Sequence, residues 1–124
     1  MKVQVLVVDD SHAMRMMLSN MLTEMGFEVA QAQHGQEGLE HLTGHPDIAL
    51  ALVDWNMPVM TGIEMVEAVR RDSALSRVKL MMVTTESEQS QMRRALTAGA
   101  NEYVLKPFTK EIISEKLRRL HVSV

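Results

Sequence analysis

The chain has 124 residues, no cysteine and a formal net charge of −3. One domain of that length buries a core unaided, and without cysteine there are no disulfides, thiolate metal sites or thiol nucleophiles, as expected of a cytoplasmic protein. The mild charge argues against nucleic acid or an anionic membrane as the main partner, no apolar stretch reaches the roughly 18 residues of a membrane span, and the N-terminus lacks a signal-peptide profile.

In chain order, the first apolar run is VLVV, ending in the pair Asp9-Asp10. Met14, Met17, Leu18, Met21, Leu22 and Met25 then recur at helical spacing, which predicts an amphipathic helix from Ser11 to Met25 with Ser11 as its cap and Gly26 as its stop. A short strand over Phe27 to Ala32 and a helix from Gln36 to Leu42 follow, the helix halted by Gly44 and Pro46. The run IALALVD, ending in Asp54, reads as a strand buried on both faces. Pro58 and Gly62 mark a loop, and Ile63, Met65, Val66 and Val69 give a third helix. Leu80 to Thr84 is the fourth strand. Ser87 to Ala98 is a helix with a thin stripe (Met92, Ala95, Leu96) stopped by Gly99. Glu102 to Leu105 is the fifth strand, and Thr109 to Leu120 a last helix carrying Ile112, Ile113, Leu117 and Leu120.

Alternating strands and helices predict a doubly wound α/β fold with right-handed crossovers. Such folds place ligand sites at the carboxyl ends of their strands. Those ends present Asp9 and Asp10, Asp54, Thr84 with Thr85, and Lys106. If the first and third strands are neighbours, three carboxylates crowd together. Two of them about 5 Å apart repel by roughly 3 kcal/mol at an effective dielectric near 20, which favours protonation or a bound cation. Oxygen ligands without histidine or cysteine favour Mg²⁺. Read alone, Asp9-Asp10 is equally a pair of acids at a helix N-terminus, and Thr84 a hydroxyl bonding its own backbone.

Four segments together carry a likeness: VVDDS at Val7 to Ser11, DWNMPVMTG at Asp54 to Gly62, VTT at Val83 to Thr85, and AGANEYVLKPF at Ala98 to Phe108. In this order and spacing they resemble the receiver domains of two-component response regulators, nearest the single-domain chemotaxis (CheY-like) type, over essentially the whole chain. The resemblance implies a flavodoxin-like (βα)5 fold with a five-stranded parallel sheet in the order 2-1-3-4-5 and helices on both faces. It implies one receiver domain over residues 1–124 with no output domain. Asp54 is then the phosphoacceptor for a histidine kinase. Asp10, the Asp54 side chain and the backbone carbonyl of Asn56 hold Mg²⁺, with Asp9 helping through water. Lys106 neutralises the phosphoryl oxygens, and the added charge of about −1.5 to −2 draws Thr84 toward it. Tyr103 swings inward behind Thr84, changing the face of the fourth helix, fifth strand and fifth helix where a downstream protein docks. A cis Lys106-Pro107 bond is implied as well. On this reading the protein is a monomeric signalling phosphoacceptor that assists its own phosphotransfer and dephosphorylation, not a classical enzyme.

Asn56 and Glu86, two residues beyond Asp54 and Thr84, match the chemotaxis pattern and imply a short-lived phosphoryl state. Thr85 replaces the family's usual smaller residue and narrows access, and the acidic, polar ESEQSQ stretch argues against docking to a flagellar motor switch. A haloacid-dehalogenase-like phosphatase needs an acid where Asn56 stands; a phosphorylation-independent interaction module or flavin binder would not need the full acidic, hydroxyl and lysine set. Trp55 reads as a loop-packing or rim residue. His34, His41 and His45 read as surface residues, the last separated from the others by a bent loop, and Gly35 and Gly38 as turn and packing positions. Twelve methionines imply a core filled with flexible thioethers, most falling on core-facing periods.

Overall fold

Alternating side chains in the central strands decide which helix covers which face of the sheet. The computed structural model describes residues 2–85 and 89–123. Five strands, β1 (Gln4–Val8), β2 (Glu28–Ala32), β3 (Ile48–Val53), β4 (Lys79–Thr84) and β5 (Glu102–Leu105), alternate with α1 (His12–Glu24), α2 (Gly35–Gly44), α3 (Gly62–Arg71), α4 (Gln89–Ala98) and α5 (Lys110–Arg119). The sheet is wholly parallel in the order β2-β1-β3-β4-β5, as the resemblance implied. Leu6, Val8, Ala51, Val53, Leu80 and Met82 point to one face, where they meet Leu42 of α2, Met65, Val66 and Val69 of α3, and Ala95 of α4. Val5, Val7, Leu50, Leu52, Met81 and Val83 point to the other, against Leu18 and Leu22 of α1 and Ile113 and Leu117 of α5. Each such leucine or valine side chain, fully buried, contributes about 1.5–3 kcal/mol.

Most expected boundaries fall within two residues of the observed ones. Ser11 caps α1 by accepting from the Met14 N–H, and Thr109 caps α5 by accepting from Ile112. The expected start of α4 at Ser87 lies outside the described residues, and a short 3-10 turn at Ser73–Leu75 had no signature in the periodicity.

Three expected core positions are corrected. The buried side of α1 is Arg15, Leu18, Ser19 and Leu22, whereas Met17 is 47% exposed. The stripe is rotated because the Arg15 guanidinium turns inward to donate to the Asp9 carbonyl at 2.8 Å. Leu96 of α4 is 49% exposed and Ile112 of α5 is 40% exposed. Each lies beside a residue that takes the inward position instead, Ala95 and Ile113.

At the far edge of the sheet, Arg70 of α3 holds the α4–β5 turn. Its guanidinium donates to the Gly99 carbonyl at 2.9 Å, the Val78 carbonyl at 2.8 Å and Asn101 Oδ1 at 2.8 Å. Asn101 in turn accepts from the Leu80 N–H at 2.8 Å. Gly99 has φ +122°, and a Cβ there would lie 2.4 Å from Arg70 Cγ.

Candidate functional site

Strand register brings the predicted residues to one edge. Val8 pairs with Val53, Val53 with Met82, and Thr84 with Leu105. The ladder runs one residue further, with the Asp54 N–H donating to Val8 O at 2.9 Å and the Lys106 N–H to Thr84 O at 2.8 Å. Asp9, Asp10, Asp54 and Lys106 therefore leave β1, β3 and β5 at the same edge of the sheet.

One carboxylate oxygen from each of Asp9, Asp10 and Asp54 lies within 4.8 Å of the others. Lys106 Nζ bridges two of them, 3.0 Å from Asp9 Oδ2 and 3.3 Å from Asp54 Oδ1. The second oxygen of Asp9 accepts from the Ser11 N–H at 2.9 Å. Both Asp9 oxygens are thus engaged, and Asp9 is buried while Asp10 is exposed. That division suits Asp10 to face an ion directly and Asp9 to act at one remove. Three hard oxygen donors against one ammonium leave the cluster short of positive charge, and no histidine takes part, so the donor set fits a hard divalent cation such as Mg²⁺.

Burial, followed by the Asp9 charge, pushes the Asp54 carboxyl from 3.8 up to about 6. The Lys106 charge and hydrogen bond, and the backbone N–H of Trp55, pull the other way without prevailing. Desolvation disfavours the charged form, and a like charge nearby adds to it. Asp54 is ionised at neutral pH yet held near its titration point.

Thr84 is fully buried at the end of β4. Tyr103 is already packed inward, 6% exposed in the core beneath α2, α3 and α4. Asn56 is exposed in the loop after β3. The Lys106-Pro107 bond is cis. Thr85 is exposed, and Glu86 lies outside the described residues.

Gly62 positions the end of β3 at Asp54 in a way the sequence did not announce. A Cβ on Gly62 would stand 2.2 Å from the Asp54 carbonyl oxygen. Its N–H donates to Trp55 O at 2.9 Å, and the neighbouring Thr61–Glu64 capping box fixes the start of α3. Arg15 is the second missed residue, since its donation to the Asp9 carbonyl braces the acidic turn. A cation one helical turn beyond an acidic pair was the available signal. The third is Arg94 of α4, whose Cζ lies 5.9 Å from the centroid of the Trp55 ring.

The histidines stay outside this group. His34 caps α2, accepting from the Glu37 N–H at 3.2 Å. Contrary to the expected separation, the rings of His41 and His45 stack with centroids 5.6 Å apart. The turn after α2 folds back, bringing His45 Nδ1 within 2.9 Å of the His41 carbonyl. Gly35 and Gly38 are packing positions, closed in by Met60 and by Val8 with Met65.

Residues 5–118 match a protein-family profile described as the response regulator receiver domain. The chain is 43% identical over 115 residues to chemotaxis protein CheY1 of Helicobacter pylori, covering 92% of this chain and 93% of that protein. It is 40% identical over 119 residues to chemotaxis protein CheY of Pseudomonas aeruginosa, covering 94% of each. Among solved structures, chemotaxis response regulator CheY4 of Vibrio cholerae superposes with a TM-score of 0.90 at 36% identity, covering 97% of this chain and 99% of that one.

Proposed function

Because the chain belongs to the response regulator receiver family, we propose that it is a phosphorylation-activated response regulator with Asp54 as its phosphoacceptor. The observation that carries this reading is the pairing of Asp54 with Lys106 at 3.3 Å inside a three-carboxylate cluster at the carboxyl edge of the sheet. A histidine kinase serves as phosphodonor. An Asp54 carboxylate oxygen attacks phosphorus, the new O–P bond forms as the N–P bond breaks, and the electron pair leaves on the imidazole nitrogen. There is little covalent work for the protein to do, so positioning and charge neutralisation dominate.

Mg²⁺ held by Asp10, Asp54 and the backbone carbonyl of Asn56, with Asp9 through water, supplies charge neutralisation at the transferring group when bound. Lys106, 3.3 Å from Asp54 Oδ1, adds a second positive charge. Thr84 donates its hydroxyl to the phosphoryl group, and the Tyr103 ring, already packed inward, is held there by that movement. Output goes through the α4–β5–α5 face. Leu96, Leu105 and Ile112, one on each of those elements, are among the exposed large apolar side chains, which suits a protein-docking surface. The chemotaxis relatives support a place in motility control, with a single-domain relay as the second outlet.

The protein acts as a signalling phosphoacceptor and not as a classical enzyme. A haloacid-dehalogenase-like phosphatase would need an acid at Asn56. The test is incubation with acetyl phosphate, with and without Mg²⁺, followed by intact mass. Mg²⁺-dependent addition of one phosphoryl group, absent in Asp54→Asn, is expected. Transfer that persists in Asp54→Asn, or steady hydrolysis of unrelated phosphomonoesters, overturns the reading.

A further inference from the structure

Trp55 is the only tryptophan and the residue directly after the proposed phosphoacceptor. Its backbone N–H donates to the Asp54 carboxylate, and its carbonyl accepts from Gly62 at 2.9 Å. The ring, only 8% exposed, carries the Arg94 guanidinium 5.9 Å from its centroid. That distance lies within the roughly 6 Å over which a cation is drawn to an aromatic face. Arg94 belongs to α4, whose one buried side chain among the described residues is Ala95. A helix with so small an apolar footprint is sensitive to each additional tie.

We propose that Arg94 is a positioning residue for the chemistry at Asp54: it clasps the Trp55 ring and so fixes the peptide whose N–H reaches the Asp54 carboxylate. The same clasp joins that peptide to α4, part of the output face. The inference rests on the reading of Asp54 as phosphoacceptor. The Trp55 ring shares its Cα with both hydrogen-bonding peptide units, the one that donates to Asp54 and the one that accepts from Gly62, so a held ring limits how far that Cα and the donor can move. Departure of Arg94 therefore loosens the donor to Asp54, and rearrangement at Asp54 is felt by Arg94. Arginine suits the task because its planar, weakly hydrated guanidinium stacks on an indole while staying charged.

Single-tryptophan fluorescence reads the clasp directly in the full chain. Arg94→Met keeps the length of the side chain and removes its charge. It should change the resting emission of Trp55 and shrink the emission change on adding beryllofluoride with Mg²⁺. Phosphorylation by acetyl phosphate should slow about two- to fivefold, the factor that an exposed cation–aromatic pair carries. Arg94→Lys, which keeps the charge but not the flat stacking group, should recover part of both signals. In a Trp55→Ala background, scored by intact mass, Arg94→Met should add no further loss. Wild-type emission and rate in Arg94→Met, a lysine variant as impaired as the methionine one, or additive losses in the double variant would each overturn the proposal. A wild-type protein that takes no phosphoryl group would overturn the reading of Asp54 instead, and the resting emission would then still decide for or against the clasp.

Discussion

Gly62 stands so close to Asp54 that a single added carbon would lie 2.2 Å from the Asp54 carbonyl oxygen. No side-chain rotation relieves such a contact, because the obstructing atom is backbone. Gly62→Ala should therefore push the end of β3 outward, at a cost of about 1–3 kcal/mol. Denaturant melts measure the loss, and acetyl phosphate labelling should slow in parallel. Unchanged stability and labelling would mean that the β3–α3 loop yields without moving the carboxylate.

The raised Asp54 carboxyl makes stability fall as pH rises. Its pKa is about 6 in the folded protein against an ordinary 3.8, so between those values the folded state holds the proton more tightly than the unfolded chain. The stabilisation is fully present below the lower value and lost as pH rises through the upper one. Asp54→Asn removes the titration. At neutral pH and above it should exceed wild type by about 1–2 kcal/mol, a figure discounted for solvent screening at the open mouth of the site. Near pH ~4 the two proteins should converge. Thermal melts across this range check the crossover, and a constant gap would contradict it.

Lys106 is the cation that Asp9 and Asp54 share, at 3.0 Å and 3.3 Å. Lys106→Met leaves their charges opposed and mostly out of water. A loss of about 1–3 kcal/mol at neutral pH is expected, less than for a fully buried pair because the site opens to solvent. Mg²⁺ should restore more stability to this variant than it adds to wild type. Equal increments in the two proteins would show that the metal and the ammonium do not serve the same charges.

Val59 has φ +69° and is 78% exposed, while the flanking Met60 N–H donates to the Pro58 carbonyl at 2.7 Å. This is a γ-turn closed around a β-branched residue in the left-handed region, a costly arrangement. Glycine enters that geometry without a Cβ clash, so Val59→Gly should stabilise the protein by about 1 kcal/mol, the strain relieved outweighing the glycine's extra freedom when unfolded. Urea unfolding measures it. Destabilisation would mean that the valine methyls make contacts worth more than the strain.

The strand ends were legible because buried parallel strands leave uninterrupted apolar runs, and Asp9, Asp54, Thr84 and Lys106 each stand where such a run stops. β5 at Glu102–Leu105 matches its expected bounds. Helix faces were harder. Counting apolar residues on α1 favoured Met17, because a periodicity argument prices Arg15 as a solvent-facing cation and does not see the Asp9 carbonyl that draws it inward. The two remaining gaps have the same origin. The pairing of Trp55 with Arg94 and the stacking of His41 on His45 depend on how loops fold back, and loops carry no period.

Arg70 reaches Gly99, Val78 and Asn101 with one flat group, and this bears on how α4 can respond to anything upstream. The end of the helix remote from the carboxylates is nailed to its neighbours from several directions. A push that starts beside Asp54 then acts like a force on a lever with a seated fulcrum. The helix is expected to swing about its held end, its near end travelling furthest.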